Sequence, residues 1–203
     1  MTPPGPNPYP SPSPNGDGAG RFDRLTTPRL VLRRWQELDR EPFAALNADP
    51  AVMRFFPEPL DRAASDALID RIENHFDERG FGLWAVEARD PDGAHGFIGF
   101  TGLAPMPPGV PGAGGIEIGW RLAAHAWHRG YATEAARAVR DLAFGEIGLT
   151  QLWSMTAILN QPSQAVMRRL GMRRHAVFEH PHVPQHHVVR PHVVYRADRD
   201  ASA

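Results

Sequence analysis

The stretch from Ile116 to Ala136 constrains the fold more than any other part of the chain, because its apolar pattern changes period part-way along. The first residues alternate as in a β-strand, with Ile116, Ile118, Trp120 and Leu122 on one face and Glu117, Gly119 and Arg121 on the other. Helical spacing then follows at Ala132, Ala135, Ala136, Val139, Leu142 and Ala143. Gly145 and Gly148 can end the helix. The stretch therefore predicts a strand, a loop and a helix.

The loop before this helix has the chemistry of an anion site. The first backbone N–H groups of a helix lack internal partners and lie at the positive end of its dipole. Residues 128–133, HRGYAT, would supply successive donors, and Arg129 adds a positive charge. Gly130 would let a diphosphate approach the main chain, and Ala132 is too small to block it. Many helix ends with a nearby glycine bind only water, so the loop alone leaves both interpretations open.

The composition limits the classes of function. The chain has 203 residues, 42% of them hydrophobic, which is enough for one well-buried domain. A net charge of −1 without runs of basic residues does not indicate a basic surface for binding nucleic acid or an anionic membrane. A small-molecule or peptide partner is therefore expected. The absence of cysteine excludes disulfides and thiolate nucleophiles and is compatible with a reducing cytoplasm. No membrane span or secretion signal is visible.

The chain in order predicts a disordered tail followed by one domain. Residues 1–22 are rich in proline, glycine and serine, and the alternative for them is a polyproline ligand. Residues 23–203 form the domain. Strands are predicted at 30–32, 82–88, 95–103 and 152–158, with a turn at 90–93. Helices are predicted at 39–47, with Asp39 as an acidic cap, at 63–79, and from Asn160 to a stop at Gly171.

The motifs along the chain resemble a known family. WHRGYATEA at 127–135, preceded by EIGWRL at 117–122, resembles the acyl-CoA pyrophosphate loop of the GNAT N-acetyltransferase superfamily. The resemblance is closest to the branch that contains the ribosomal-protein alanine N-acetyltransferases. Further matches in order are TPRLVLRRW (27–35), ADPAVMRFFP (48–57), NQPSQAVMRRLGM (160–172) and HVVYR (192–196). Trp127 departs from the first position of the signature Q/R-x-x-G-x-G/A, and His128 stands where this branch often has a small residue.

The resemblance implies an α/β (α+β) fold with a mixed, mostly antiparallel sheet flanked by helices. Two central parallel strands, at 116–122 and 152–158, would splay apart to hold acetyl-CoA as co-substrate, and no metal is expected. The implied cofactor contacts are Trp120, Arg121, Leu122, His128, Arg129, Gly130, Tyr131, Ala132, Thr133, Asn160 and Ser163. For Asn160 and Ser163 the simpler alternative is a helix cap.

Glu117 is the candidate general base. Amide formation from a thioester needs a neutral amine, a polarised carbonyl and a proton for the leaving thiolate. A carboxylate in an otherwise apolar strand can have a raised pKa, although an ion pair with an arginine is an equally good interpretation. Arg121 on the same face is about 13 Å away along a strand, too far for a direct ion pair.

The resemblance assigns the proton for the thiolate to Ser163, with Tyr131 and Tyr195 as competitors. A backbone N–H within Gly119–Leu122 would polarise the carbonyl. The connection Met53–Pro57 has the aromatic content of a packed corner, but the resemblance implies that it lines the acceptor site.

A histidine-rich segment offers the rival class of function. It carries His180, His182, His186, His187 and His192, without cysteine or a helical H-x-x-x-H pair, so the spacing favours a surface loop beside the acceptor groove over a zinc site. The sequence therefore predicts a cytoplasmic acetyltransferase, a monomer or homodimer, that moves an acetyl group from acetyl-CoA to a primary amine by direct attack. The acceptor is a protein N-terminal α-amine or a small-molecule amine. The alternative is a non-catalytic acyl-CoA-binding or metal-responsive module.

Overall fold

A computed structural model of the protein describes residues 20, 22–89 and 95–199. The expected turn at 90–93 and most of the expected tail at 1–22 lie outside the described residues. The strands are β1 Arg24–Thr26, β2 Leu30–Arg33, β3 Leu83–Arg89, β4 His95–Pro105, β5 Ile116–Leu122, β6 Gln151–Ala157, β7 Arg173–Glu179 and β8 Pro191–Asp198. The helices are α1 Arg40–Ala48, α2 Pro50–Met53, α3 Arg62–Arg79, α4 Tyr131–Gly145 and α5 Gln161–Arg169. Single turns of 3-10 helix lie at Glu37–Asp39 and Ala124–Ala126.

The strands form one sheet in the order β1-β2-β3-β4-β5-β6-β8-β7. Every neighbouring pair is antiparallel except β5 and β6, which are parallel. The expectation of a mixed, mostly antiparallel sheet with two central parallel strands is therefore confirmed.

The parallel pair is joined at one position only. Glu117 in β5 lies opposite Trp153 in β6, near the amino ends of both strands. Beyond that position β5 keeps its pairing with β4, while its β6 side has no strand partner. The two strands therefore part toward their carboxyl ends, and the gap opens toward the loop that precedes α4.

Helices cover the sheet through apolar side chains. Helix α4 packs against β4 and β5, and its buried residues are Tyr131, Ala135, Ala136, Val139, Leu142 and Ala143. On β4, the Phe100 ring lies 5.9 Å from that of Phe43 in α1 and 6.4 Å from that of Trp35, which follows β2. Arg121 pairs across the strands with Phe100 and so shares the face covered by α1. None of the helices in the described ranges has the length and apolar content needed to cross a membrane.

Three strands were not predicted from the sequence. β1 is only three residues long, and β7 is an edge strand with mostly exposed side chains, so neither shows a clear apolar alternation. In β8, the consecutive residues Val193, Val194 and Tyr195 are all buried, so this strand shows a continuous apolar run instead of an alternation of apolar and polar residues. As a result His192 belongs to a strand, and the histidine-rich surface loop is limited to residues 180–190.

The expected cap at Asp39 is wrong in its contacts. Asp39 does occupy the N-cap position of α1, but its side chain makes no cap hydrogen bond to that helix. Its two carboxylate oxygens instead accept hydrogen bonds from Arg33 at 2.7 and 2.8 Å, and one also accepts from the Gln36 N–H. Both Arg33 and Asp39 are buried, and a buried charge requires a partner more than a helix end requires a cap.

Candidate active site

The loop between β5 and α4 leads directly out of the gap. After the 3-10 turn, His128 and Gly130 both have positive φ, at 60° and 81°. Gly130 is the N-cap residue of α4 and contributes no side chain to the cap. His128 is the only non-glycine residue with positive φ in the described ranges, a conformation that glycine adopts most easily.

This loop leaves a row of unused donors. The helical hydrogen bonds of α4 begin where the Glu134 N–H donates to the Gly130 carbonyl at 3.0 Å. In the described part of the chain, no acceptor lies within hydrogen-bond reach of the backbone N–H groups of residues 128–133. His128, Arg129 and Gly130 are exposed, and Arg129 makes no ion pair with a described residue. The loop can therefore bind an anion through several N–H groups at the positive end of the helix dipole.

Arg29, which the sequence reasoning missed, supports the loop from the β1–β2 connection. Its guanidinium pairs with Glu134 at 2.6 Å and donates to the Arg129 carbonyl at 3.0 Å. The Glu134 carboxylate also accepts from the Thr27 hydroxyl at 2.6 Å, and these bonds lower the pKa of Glu134 despite its burial. Motif membership was the signal that could have pointed to these two residues, since Arg29 lies in TPRLVLRRW and Glu134 in the loop motif.

Trp127, the departure at the start of the family signature, attaches the loop to the strand. Its indole N–H donates to the Leu122 carbonyl at 2.8 Å. Trp120, Arg121 and Leu122 themselves pair with β4 on one edge, while their other edge lies along the gap. The structure thus brings the predicted contacts on β5 and those in the loop to the same opening.

Glu117 lies at the other end of that opening, where β5 and β6 meet. Its carboxylate accepts from the Met155 N–H of β6 at 3.4 Å and forms no ion pair with any described residue. Burial raises the pKa of Glu117 to about 7, and the bond from Met155 only partly opposes this effect. Of the two interpretations of this residue, the ion pair with an arginine is absent from the described residues.

Asn160 and Ser163 lie at the start of α5, just after β6. The Asn160 amide oxygen accepts from the Ser163 N–H at 3.2 Å, and its amide nitrogen donates to the Thr156 hydroxyl at 2.9 Å. Asn160 is therefore a helix cap, with one lone pair and one N–H still available to a ligand. The Ser163 hydroxyl makes no hydrogen bond to a described residue and is partly exposed.

The two competing tyrosines are placed differently. The buried Tyr195 hydroxyl donates to Gln164 at 3.2 Å and accepts from Arg168 at 3.4 Å. Tyr131 is the first residue of α4, and its ring packs beneath the Arg29 guanidinium at 4.8 Å. The Tyr131 hydroxyl, like that of Ser163, makes no hydrogen bond to a described residue, so Ser163 stays a prediction with Tyr131 as its competitor.

Residues 54–56 bridge the open end of the gap with three consecutive side chains. Arg54 lies 5.5 Å from the ring of Trp127, on the loop side. Phe55 packs against the cluster of Ala157, Val183 and Val189, which joins the end of β6 to the β7–β8 loop. Phe56 stacks on the Arg121 guanidinium at 4.2 Å. The connection between α2 and α3 is therefore packed against the rest of the protein and also forms one wall of the gap between β5 and β6, which we call the cleft.

The histidines form a stacked group rather than an identifiable metal centre. The His180 ring lies 4.7 Å from that of His192 and 5.8 Å from that of His182. Burial, aided by repulsion from His192 and His182, lowers the pKa of His180 to about 4, so it is neutral at pH 7. Within the residues that the structure describes, no group of three His, Cys, Asp or Glu side chains is placed to hold a metal ion.

Comparison with known proteins identifies the family. Residues 29–173 match the acetyltransferase (GNAT) domain. The chain belongs to the GNAT acetyltransferase family. A GNAT domain uses acetyl-CoA as its co-substrate, so the gap and its loop are parts of an acetyl-CoA-dependent acetyltransferase. Membership supports the prediction of an acetyl-CoA-dependent acetyltransferase.

Individual relatives agree with this assignment. The chain is 29% identical over 156 residues to the uncharacterized N-acetyltransferase YnaD of Bacillus subtilis, covering 76% of this chain and 85% of the relative. A GNAT-family acetyltransferase structure from Bacillus anthracis superposes with a TM-score of 0.69 at 21% identity, covering 87% of this chain and 98% of that one. The coenzyme A complex of RimL, a ribosomal-protein alpha-N-acetyltransferase, has a TM-score of 0.68 at 16% identity, with coverage of 87% and 98%. At these identities the two structures establish the fold of this GNAT acetyltransferase.

Proposed function

We propose that this GNAT acetyltransferase transfers the acetyl group of acetyl-CoA to a primary amine by direct attack, with Glu117 as the general base. The observation that carries the proposal is the position of Glu117, at the point where β5 and β6 begin to part. There its pKa of about 7 leaves a large fraction ionised at neutral pH, while its basicity exceeds that of an ordinary glutamate.

The gap gives acetyl-CoA a defined direction. The diphosphate would bind the free N–H groups of residues 128–133, with Arg129 adding charge. The pantetheine arm would follow the unpaired edge of β5 past Trp120, Arg121 and Leu122, toward Asn160 and Ser163 on the β6 side. RimL, a structural neighbour, is described in complex with coenzyme A, which supports this placement of the ligand.

The chemical step uses groups at the closed end of the gap. The amine nitrogen attacks the thioester carbonyl carbon, a carbon–nitrogen bond forms, and a β5 backbone N–H within Gly119–Leu122 stabilises the developing oxyanion. Glu117 takes the ammonium proton, directly or through water. The carbon–sulfur bond then breaks, the Ser163 hydroxyl donates a proton to the thiolate, and solvent returns that proton to Ser163. The sequence contains no cysteine, so a cysteine acyl-enzyme plays no part.

The acceptor is a protein N-terminal α-amine or a small-molecule amine. An α-amine has a reference pKa of about 8, so roughly a tenth of it is neutral at pH 7, whereas less than a thousandth of a lysine amine is. A base with a pKa near 7 therefore suits an α-amine better than a lysine side chain.

Calorimetric titration with acetyl-CoA and with CoA, followed by a thiol-release assay over a panel of primary amines, tests the proposal. Binding with a dissociation constant on the order of micromolar, and thiol release that depends on the added amine, are expected. Tight binding without thiol release from any amine would contradict the proposed reaction. Absence of binding to either nucleotide would contradict the assignment of the loop.

Ser163→Ala is expected to lower the turnover number by about 100-fold with little change in acetyl-CoA affinity. The substitution removes the proposed proton donor, but the Ser163 N–H that bonds to Asn160 is a backbone group and remains. The measurement is steady-state thiol release beside calorimetric binding. Ser163→Thr, which keeps a hydroxyl, is the matched control and should retain much of the activity. An unchanged turnover number in Ser163→Ala would remove Ser163 from the mechanism.

A further inference from the structure

Arg121 is a half-buried cation that has no anionic partner among the described residues. Its guanidinium forms no ion pair with a described residue, and its Nε is enclosed without a hydrogen-bond acceptor. Burial lowers the pKa of Arg121 to about 10, and no neighbouring carboxylate opposes that shift. Arginine remains charged at neutral pH even so. A buried, unpaired charge is costly to the folded state and is rarely kept without a use.

The bonds that Arg121 does make fix its orientation. Nη1 donates to the Asn47 amide oxygen in α1 at 2.5 Å, and the Asn47 amide nitrogen donates to the Ser65 hydroxyl in α3 at 2.9 Å. Asn47 and Ser65 are fully buried, so they hold Nη1 rigidly. The opposite edge of the guanidinium, formed by Nε and Nη2, has no acceptor among the described residues. This edge carries two parallel N–H groups, the geometry that matches a carboxylate.

The surroundings place this edge in the acceptor part of the cleft. Arg121 lies on the same strand face as Glu117, with Gly119 between them. A side chain at Gly119 would meet no atom within 4 Å, so the space over the strand between the two charged residues is open. Phe56, which is partly exposed, covers the guanidinium from the α2–α3 connection.

We propose that the acceptor of this enzyme carries a carboxylate that binds to the free Nε–Nη2 edge of Arg121 while its amine reaches Glu117. This inference rests on the proposed function and specifies the acceptor class for the same site. The Cα atoms of Glu117 and Arg121 are about 13 Å apart along the strand, so the carboxylate stands several bonds from the amine. Because Nε is enclosed and the partly exposed Phe56 ring stacks on the guanidinium, contact with both N–H groups requires that ring to move aside.

The test compares acceptors that differ only in charge. Straight-chain amino carboxylates of increasing length are assayed for thiol release, each beside its own carboxamide. For the chain length that fits, the carboxylate should show a roughly 10- to 100-fold higher kcat/KM, expressed mainly in KM. Arg121→Met should abolish this preference, and Arg121→Lys should keep only part of it, because lysine retains the charge without the planar fork.

Arg137→Gln is the matched control for loss of one positive charge. Arg137 is exposed on α4 and makes no ion pair with a described residue, so this variant should keep the preference for carboxylates. Thermal unfolding of Arg121→Met supplies a second readout. Arg121→Met also leaves the buried Asn47 amide oxygen without its donor, so a modest fall in melting temperature is expected, and the measurement shows that the variant is folded when its binding is compared.

Calorimetric titration of the CoA-loaded protein with the same carboxylates and carboxamides separates this inference from the proposed function. If no amine releases thiol, the proposed reaction is wrong. The binding experiment still tests Arg121 in that case, because the wild type should bind carboxylates selectively and Arg121→Met should not. The inference is overturned if carboxylates and carboxamides behave alike at every length, or if the preference survives in Arg121→Met.

Discussion

Glu117→Gln is expected to lower the rate of acetyl transfer by at least about 100-fold while leaving acetyl-CoA affinity nearly unchanged. The amide keeps the size of the side chain and can still accept the Met155 N–H, but it cannot take a proton from the attacking amine. The measurement is thiol release at saturating acetyl-CoA, with calorimetric titration as the binding readout. A variant with wild-type turnover would exclude Glu117 as the base.

The pH dependence of the wild type provides an independent check. Since the base must be ionised, kcat/KM should rise with pH through about 7, the pKa of Glu117 in the folded protein. The amine substrate also titrates, so the profile should be measured with amines of different pKa. The apparent pKa near 7 in the kcat/KM profile should be the same for every amine, whereas the second apparent pKa should follow the pKa of the amine used. In Glu117→Gln the apparent pKa near 7 should disappear.

The same substitution should stabilise the protein above neutral pH. Burial raises the pKa of Glu117 from an ordinary value of 4.5 to about 7, so between these values the folded state holds a proton that the unfolded state has lost. Wild-type stability therefore falls as pH rises through this window, by up to about 3 kcal/mol. Glu117→Gln escapes this loss and should unfold at higher denaturant concentration than wild type at pH 8, but not at pH 4.

Glu78→Gln is the control for these experiments. Glu78 lies at an exposed position of α3, so Glu78→Gln makes the same chemical change in a side chain that is not buried. Its activity, its pH profile and the pH dependence of its stability should match those of the wild type. If Glu78→Gln were as stabilising at pH 8 as Glu117→Gln, the effect would reflect net charge rather than burial of Glu117.

Gly130→Asp is expected to abolish measurable binding of acetyl-CoA, raising the dissociation constant by more than about 100-fold. The new carboxylate would stand at the free N–H groups of the α4 amino end, where it competes with the diphosphate and repels it. The added Cβ would also lie 3.4 Å from the Arg29 guanidinium, which would draw the carboxylate toward the loop. Calorimetric titration with acetyl-CoA and with CoA measures the loss.

Gly148→Asp separates this effect from backbone strain. Gly148 has a φ of 80°, nearly the same as the 81° of Gly130, and a side chain there would meet nothing within 4 Å. Both substitutions place an aspartate in the left-handed region, at a cost of about 1 kcal/mol, and both add the same charge. Only Gly130→Asp should lose binding. Equal loss in the two variants would show that strain or net charge, not the loop, controls affinity.

The sequence predicted the elements that depend on local pattern. The alternation in β5 and the helical spacing in α4 involve neighbouring residues, and the structure has both elements where that pattern places them. The cap at Asn160 likewise needs only the adjacent turn, and its bond to the Ser163 N–H is present. The strands missed were those without alternation, since β7 is exposed along most of its length and the middle of β8 is buried on both faces.

The contacts of charged groups could not be predicted from the local pattern in the same way. Asp39 was expected to cap α1, yet it pairs with Arg33, because burial of both charges outweighs a local cap. The support of the loop by Arg29 and Glu134 joins residues more than a hundred positions apart. Both residues lie in recognisable motifs, but the pattern along the chain does not show that the two motifs touch.

By itself, the sequence determined the strand–loop–helix unit, the resemblance to the GNAT family and the candidates Glu117, Gly130 and Ser163. Each of these depends on residues that lie close together along the chain. Only the tertiary structure decided that β5 and β6 meet at a single position, and that Arg121 is held by Asn47. It also decided that Glu117 and the Nε–Nη2 edge of Arg121 have no partner of opposite charge among the described residues. The physical reason is that desolvation and charge pairing depend on which elements pack against a side chain. That information exists only once the chain has folded.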